Sequence, residues 1–284
     1  MRKLSLLIAI LIPVAIFAQN NIKIFKSELA ENIDLHQIAG KCNLIAVYGY
    51  NSVVLIDAGY GSTGKMVKDT LKTDNVKYII NTHWHSDHTG GNIAFDKDVN
   101  IIAHENTYKR VSTTQKLFGK DSKPLPEYAQ PDMRIKKKTV IDFYEHKIEI
   151  IPLTGGHTDG DVIVYLPNSK VLAVGDLLFA GLYPFVDTEN GGNMYKYFKN
   201  IEWITKNIPA DVKVVGGHGP VFSIEQYKQY LKTLKETVKI VSDLKKDGKT
   251  MEDIIKSECL KEYADYGKFF ITEPFWIETI YKSL

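Results

Sequence analysis

Cysteine is nearly missing from this chain: 284 residues contain only Cys42 and Cys259. That excludes a disulfide framework and a four-cysteine metal knot. One lies in an apolar strand-like run and the other in a helical C-terminal part, so the sequence leaves open whether they pair or stay as buried free thiols. An excess of charge of one sign is missing too. With 36 Lys and Arg against 34 Asp and Glu, the net charge is +2, without the basic footprint that a nucleic-acid partner requires. The one basic cluster, Arg134 to Lys138, reads as a solvated turn. No internal repeat or low-complexity tract occurs.

The first eighteen residues stand apart. Arg2 and Lys3 precede an apolar run from Leu4 to Phe17 whose only polar residue is Ser5, and Ala18 follows. That is the positive, apolar, small-residue order of a secretory signal peptide, and the run is too short to span a bilayer comfortably. The expectation is cleavage after Ala18, a mature start at Gln19, and export to the periplasm or beyond. No cysteine follows Ala18 to carry a lipid, and no stable membrane span is expected once the signal is removed. The remaining length suits one large domain, or one with a small appendage. A hydrophobic fraction of 44% and a charged fraction of 25% are ordinary for a soluble fold with a full core.

From Asn21 to Ala58 short apolar or alternating pieces, punctuated by Gly40, Gly49 and Asn51, read as the strands of a meander. Ser62 or Thr63 then caps a helix to about Lys72. Strands and helices alternate from there on, as in an α/β fold. Gln115 to Pro131 has no periodicity and reads as a long loop, of the kind that forms lids or substrate walls. His36, alone in an alternating strand, is expected to be a surface or packed residue, and His146, at a hairpin turn, to be exposed.

What the chain does have is Thr82-His83-Trp84-His85-Ser86-Asp87-His88-Thr89-Gly90-Gly91-Asn92, with three of its 8 histidines and an aspartate inside six positions. It follows the short apolar strand Lys77 to Asn81, so it lies on a loop leaving a strand, where α/β sheets place their ligands. Imidazoles and a carboxylate suit zinc or a similar transition metal. In an extended loop alternate side chains share a side, so His83 and His85 can reach one metal while Asp87 and His88 turn toward a second. Three later blocks carry further ligand types at strand ends beside glycines: Gly156-His157-Thr158, Gly175-Asp176 and Gly217-His218-Gly219. Glycine there lets the backbone turn tightly and come close to an ion.

With Asp57 in front, these ordered blocks make the sequence resemble the metallo-β-lactamase superfamily from about residue 21 to 222. The resemblance implies an α/β fold, a four-layer αββα sandwich with the metals at one edge between two sheets. Residues 19–222 would form that domain, with 223–284 as C-terminal helices packed on it. Carried over position by position, His83, His85 and His157 would hold one metal, Asp87, His88 and His218 a second, and Asp176 would bridge them. Asp57 would orient ligands through hydrogen bonds rather than bind metal. Two Zn²⁺ ions are the expected cofactors, with iron or manganese as alternatives.

Two divalent cations so placed lower the pKa of a shared water until hydroxide exists at neutral pH, and that hydroxide attacks a carbonyl or phosphorus centre. Asp87 is the residue expected to orient the nucleophile and shuttle a proton. The resulting expectation is an exported binuclear zinc hydrolase cleaving an ester, lactone, thioester or amide of a small molecule. One alternative is β-lactam hydrolysis, although the β-lactamases with a cysteine ligand carry it where this chain has Asp176, which resembles the glyoxalase, lactonase and cyclase-like members. The other is a persulfide-dioxygenase-like enzyme with one iron. Trp84, Tyr183 and Asn193 are the candidate substrate residues: Trp84 as a pocket wall, Tyr183 as a donor to a developing oxyanion, and Asn193 beside the Gly191-Gly192 pair that opens a helix. The alternative reading of Asn193 is a plain helix cap. Beyond it, Ser223 and Gln226 form a capping box for a long amphipathic helix closed by Gly248, and Phe269-Phe270-Ile271 could cover the metal edge or anchor a partner.

Overall fold

The computed structural model describes residues 22–39 and 41–284; the expected signal peptide lies outside them. The first half runs β1 (Ile24–Ala30), β2 (Ile33–Ile38), β3 (Asn43–Tyr48), β4 (Val53–Ile56), helix α1 (Gly64–Thr70) and β5 (Val76–Ile80). It continues through the one-turn helix α2 (Ser86–Thr89), β6 (Asn100–His104), α3 (Glu105–Val111), the hairpin β7 (Gln115–Leu117) and β8 (Lys120–Ser122), and β9 (Met133–Ile135). The second half holds β10 (Thr139–Phe143), β11 (His146–Pro152), β12 (Val162–Leu166), β13 (Val171–Phe179), α4 (Met194–Asn207), β14 (Lys213–His218) and β15 (Phe222–Ser223). Helices α5 (Ile224–Lys246), α6 (Met251–Lys256) and α7 (Glu273–Ser283) end the chain.

Strands β1-β2-β3-β4-β5-β6-β9 form one sheet and β10 to β15 the other, each in that spatial order. Both faces of the central strands are apolar, so they show no polar alternation and must be covered on both sides. On β3, Ile45 and Val47 face the second sheet and pack with Ile148, Ile150 and Val164, whereas Leu44 and Ala46 face Val67 of α1. The second sheet turns Leu172, Val174 and Val214 outward onto Ile201 of α4, Leu234 of α5 and Trp276 of α7. The layers are therefore α, β, β, α, as expected, with the C-terminal helices packed on the second sheet. Each fully buried isoleucine or leucine in these layers is worth roughly 1.5–3 kcal/mol relative to exposure. Among the described residues no helix is long and apolar enough to cross a membrane.

The structure also corrects details. Strand β13 does not stop before Gly175 but runs on to Phe179 through a bulge, where Gly175 takes φ +51°, so Asp176 sits inside a strand. Likewise β14 reaches His218 itself. His146 is not exposed: it pairs with Phe143 across a tight turn, is buried, and its Nε2 lies 3.2 Å from the Tyr48 carbonyl. His36 is packed, with Nδ1 2.9 Å from the Thr70 hydroxyl. Residues 115–131 are not a structureless loop, because β7 and β8 form a hairpin there, followed by a short helical turn at Glu127–Ala129. Both cysteines are free thiols.

Candidate metal centre

Parallel pairing of β4 with β5, and of β13 with β14, brings the ends of all four strands to one edge of the sandwich. Asp57 leaves β4 with φ +63°, a conformation that aspartate tolerates better than most residues. Its carboxylate turns under the histidine loop: Oδ1 accepts the Thr82 amide at 2.8 Å, and Oδ2 accepts the Thr82 hydroxyl and His88 Nδ1, each at 2.8 Å. Helix α2 then carries Asp87 and His88, the His88 ring staying 4.1 Å from that of His83. His157 comes from the turn after β11, where the Asp161 carboxylate takes the His157 and Thr158 amides at 2.8 and 2.9 Å. Burial pushes Asp161 up to about 8, against the pull of those donors.

Two groups of ligand atoms result. His83, His85, His157 and Asp176 each offer an atom within 4.8 Å of the others, and so do Asp87, His88 and His218. In the first, His85 Nδ1 lies 3.1 Å from His83 Nε2 and 2.8 Å from His157 Nε2. In the second, Asp87 Oδ2 lies 3.5 Å from His88 Nε2 and 3.3 Å from His218 Nε2. Asp176 stands between them: Oδ2 is 3.4 Å from both His157 Nε2 and His218 Nε2, and Oδ1 is 3.2 Å from His88 Nε2.

The far nitrogen of every histidine is tied to an acceptor, and this fixes the tautomers. His157 Nδ1 donates to the Phe185 carbonyl at 2.8 Å and His85 Nε2 to Asp187 Oδ2 at 3.0 Å. The Thr82 hydroxyl spends its proton on Asp57, so it accepts from His83 Nδ1 at 3.1 Å. His88 Nδ1 donates to Asp57 and His218 Nδ1 to the Lys41 carbonyl. Burial lowers His83 well below its ordinary value and His157 to about 4, so both are neutral. Their Nε2 atoms converge with His85 Nδ1 on one point, where a cation would be held by all three.

At His88 and His218 burial opposes charge, but Asp87 and Asp176 outweigh it, holding His88 well above its ordinary value and His218 up to about 10. Burial would likewise raise Asp87 and Asp176, yet the imidazoles beside them hold both well below the usual carboxylate range. Protons thus occupy the space where a metal would displace them. Even so, His88 Nε2 and Asp176 Oδ1 are buried without a hydrogen-bond partner. Nitrogen and carboxylate donors with orphaned, converging atoms fit a divalent transition metal.

The centre opens into a cavity of about 280 Å³ whose lining includes His85, Asp87, Asp176, His218, Tyr60, Phe185 and Phe269. The seven ligand candidates all meet at this edge, and Asp57 lies beneath them. The three candidate substrate residues do not reach the cavity. Trp84 is buried with its ring 4.6 Å from that of His85. Tyr183 belongs to the core, 1% exposed and stacked on Trp276 at 5.8 Å. Asn193 caps α4, accepting the Lys196 amide at 3.0 Å, and the Gly192 and Asn193 amides are consumed by the Asp187 and Gly156 carbonyls. Sequence reasoning missed Asp187, Phe118 and Phe185. No local pattern marks Asp187, whose partner His85 is 102 positions away; Phe118 could have been found as a large apolar residue beside Gly119 in a polar stretch.

The family model described as Metallo-beta-lactamase superfamily matches residues 38–218. The chain is similar to a protein from Bacteroides fragilis named metallo-beta-lactamase type 2, 23% identical over 77% of this chain and 90% of that one. It is also similar to a hydroxyacylglutathione hydrolase from Pelagibacter ubique, 28% identical over 69% of this chain and 77% of that one. Among solved structures, a metallo-beta-lactamase from Pontibacter korlensis superposes with a TM-score of 0.59 at 23% identity, over 74% of this chain and 98% of that one.

Proposed function

Because the chain belongs to the metallo-beta-lactamase superfamily and is a metal-dependent hydrolase of that fold, we propose that it is an exported binuclear zinc enzyme cleaving an ester, lactone, thioester or amide. The single observation that supports this reading is the convergence of five imidazoles and two carboxylates in two groups, each imidazole with its outer nitrogen tied to an acceptor. His83, His85 and His157 would hold one ion, Asp87, His88 and His218 the other, and Asp176 both. Bound metal supplies Lewis acidity and a water acidic enough to ionise near neutral pH.

The remaining work falls to side chains of this chain. The Asp87 side chain is 15% exposed against 4% for Asp176, and it lines the cavity. It is therefore the carboxylate that can orient an attacking oxygen and hand a proton to the leaving group. Thr82 and Asp57 hold His83 and His88 in place, so the ligands need little reorganisation when substrate arrives. Export rests on the charged, apolar, small-residue order of residues 1–18.

The test is elemental analysis of protein purified without added metal, followed by assay of the metal-loaded protein on β-lactams, lactones, esters and thioesters. Two zinc ions per chain with hydrolysis of an acyl substrate is the expected result. One iron per chain with oxygen consumption would overturn the reading.

A further inference from the structure

Deepening the hydrolase reading, on which this inference rests, we infer that the site selects an uncharged substrate with an apolar acyl group, held by a wall of phenyl rings. Two elements outside the ligand-bearing strand ends build that wall. The hairpin of β7 and β8 reaches over the metal edge with Phe118 at its tip, and the segment before α7 brings Phe269 and Phe270 from the other side. Phe118 lies 4.7 Å from Phe185 and 6.3 Å from Phe270, ring to ring, and Phe269 lies 5.6 Å from the His218 imidazole. Although they touch one another, Phe118 and Phe270 remain 51% and 46% exposed. Clustered apolar side chains left open to water beside a reactive centre mark a binding surface.

The backbone supplies a second, independent observation. Leu117 pairs with Lys120, so Phe118 and Gly119 form a two-residue loop, and both have positive φ, +50° and +72°. Such a turn prefers Asn-Gly or Asp-Gly, and a phenylalanine in the left-handed region is strained. Nothing local repays that cost, since β7 and β8 are only three residues each. Local rules broken without local gain point to function. Here the gain is the placement of a phenyl ring over the cavity.

Charge points the same way. Among the described residues no lysine or arginine lines the cavity. In the adjoining cavities Lys41 lies over the Tyr60 ring at 4.7 Å and Lys282 is 2.5 Å from Glu278, while Lys116 and Lys120 of the hairpin are exposed and are not among the residues lining the cavity. Behind the Phe118–Phe185 pair the next cavity carries Asp187, Glu189 and Glu278. Among the side chains that line the cavity a substrate carboxylate would meet no cation, whereas an alkyl or aryl chain would meet rings.

The test uses the metal-loaded full chain. For p-nitrophenyl esters from acetyl to octanoyl, kcat/KM is expected to rise about fourfold per methylene until the wall is filled. Calorimetric affinity for the matching n-alkyl hydroxamates should rise in parallel. Phe118→Asn, which suits the turn, should melt at the same or a higher temperature while the octanoyl-to-acetyl ratio falls about tenfold or more. Phe270→Ala should lower the ratio from the opposite wall. A flat series, a preference for carboxylate-bearing β-lactams, or an unchanged ratio in Phe118→Asn overturns the inference while leaving the hydrolase reading intact. A hydroxamate gradient without hydrolysis of any ester, lactone, thioester or amide overturns the hydrolase reading and leaves only apolar binding, and no hydroxamate binding overturns both.

Discussion

Replacing Asp187 by asparagine removes a charge without changing the shape of the side chain, and its surroundings determine the cost. Three donors converge on this buried carboxylate: His85 Nε2 at 3.0 Å on Oδ2, and the Asn190 amide and side-chain nitrogen at 3.2 and 2.9 Å on Oδ1. Burial alone would raise the group, but these partners hold it below the usual carboxylate range. An asparagine has one acceptor oxygen and one NH₂. If the oxygen stays with His85, both Asn190 donors face an NH₂ and lose their acceptor, at about 1 kcal/mol each. If the NH₂ faces His85, the imidazole must move its proton to Nδ1, the atom aimed at His83 Nε2 and His157 Nε2. Losing a supporting partner of this kind typically lowers metal affinity roughly 10- to 100-fold, and that is the loss expected here. Competition against a chromophoric chelator measures it: Asp187→Asn should bind zinc that much more weakly in the His83–His85–His157 group. Wild-type affinity in a folded Asp187→Asn protein would refute the tautomer assignment from which the site was built.

Gly217 and His36 offer two further tests in neighbouring parts of the fold. A Cβ at Gly217 would stand 1.9 Å from Asp176 Oδ1 and 2.9 Å from the His88 ring, so Gly217→Ala should lower bound metal and activity at least tenfold while far-ultraviolet circular dichroism is unchanged; full metal content would contradict the placement of Asp176. His36 is lowered to about 4 by burial first and then by Lys26 and Lys72, against Asp34. Below pH 6.5 the unfolded chain takes up a proton that the folded one refuses until about pH 4, so stability falls as pH drops through that window, by roughly 3 kcal/mol. In denaturant titrations wild type should therefore lose stability more steeply than His36→Gln between pH 7 and 4; parallel slopes would show that His36 is not the group responsible.

That the seven candidate ligands gather at one edge was legible because each stands in or just after an apolar strand and near glycine, a local signal carried by His83 to His88, His157, Asp176 and His218. The α/β class was legible in the alternation of strand and helix patterns, whereas the four-layer order came from the resemblance that the ligand blocks carry. What failed depended on contacts distant in sequence. His146 was expected at an exposed turn because nothing nearby announces that Tyr48, 98 positions earlier, supplies the carbonyl that buries it. Tyr183 comes soon after Asp176 in sequence, yet β13 continues past Asp176 and carries the chain into the core before Tyr183 is reached. The hairpin of β7 and β8 has too few residues for a periodicity to show, so its role as a wall came only with Phe185 and Phe270 packed against its tip.

Whether the site holds two metals can be read from anomalous diffraction at the zinc edge on crystals of the metal-loaded protein. Two peaks are expected, one among His83 Nε2, His85 Nδ1 and His157 Nε2, the other among Asp87, His88 Nε2 and His218 Nε2, with Asp176 contacting both. A single peak, or ligation through the nitrogens assigned here to Asp57, Asp187 and the backbone carbonyls, would contradict a two-metal centre of this kind.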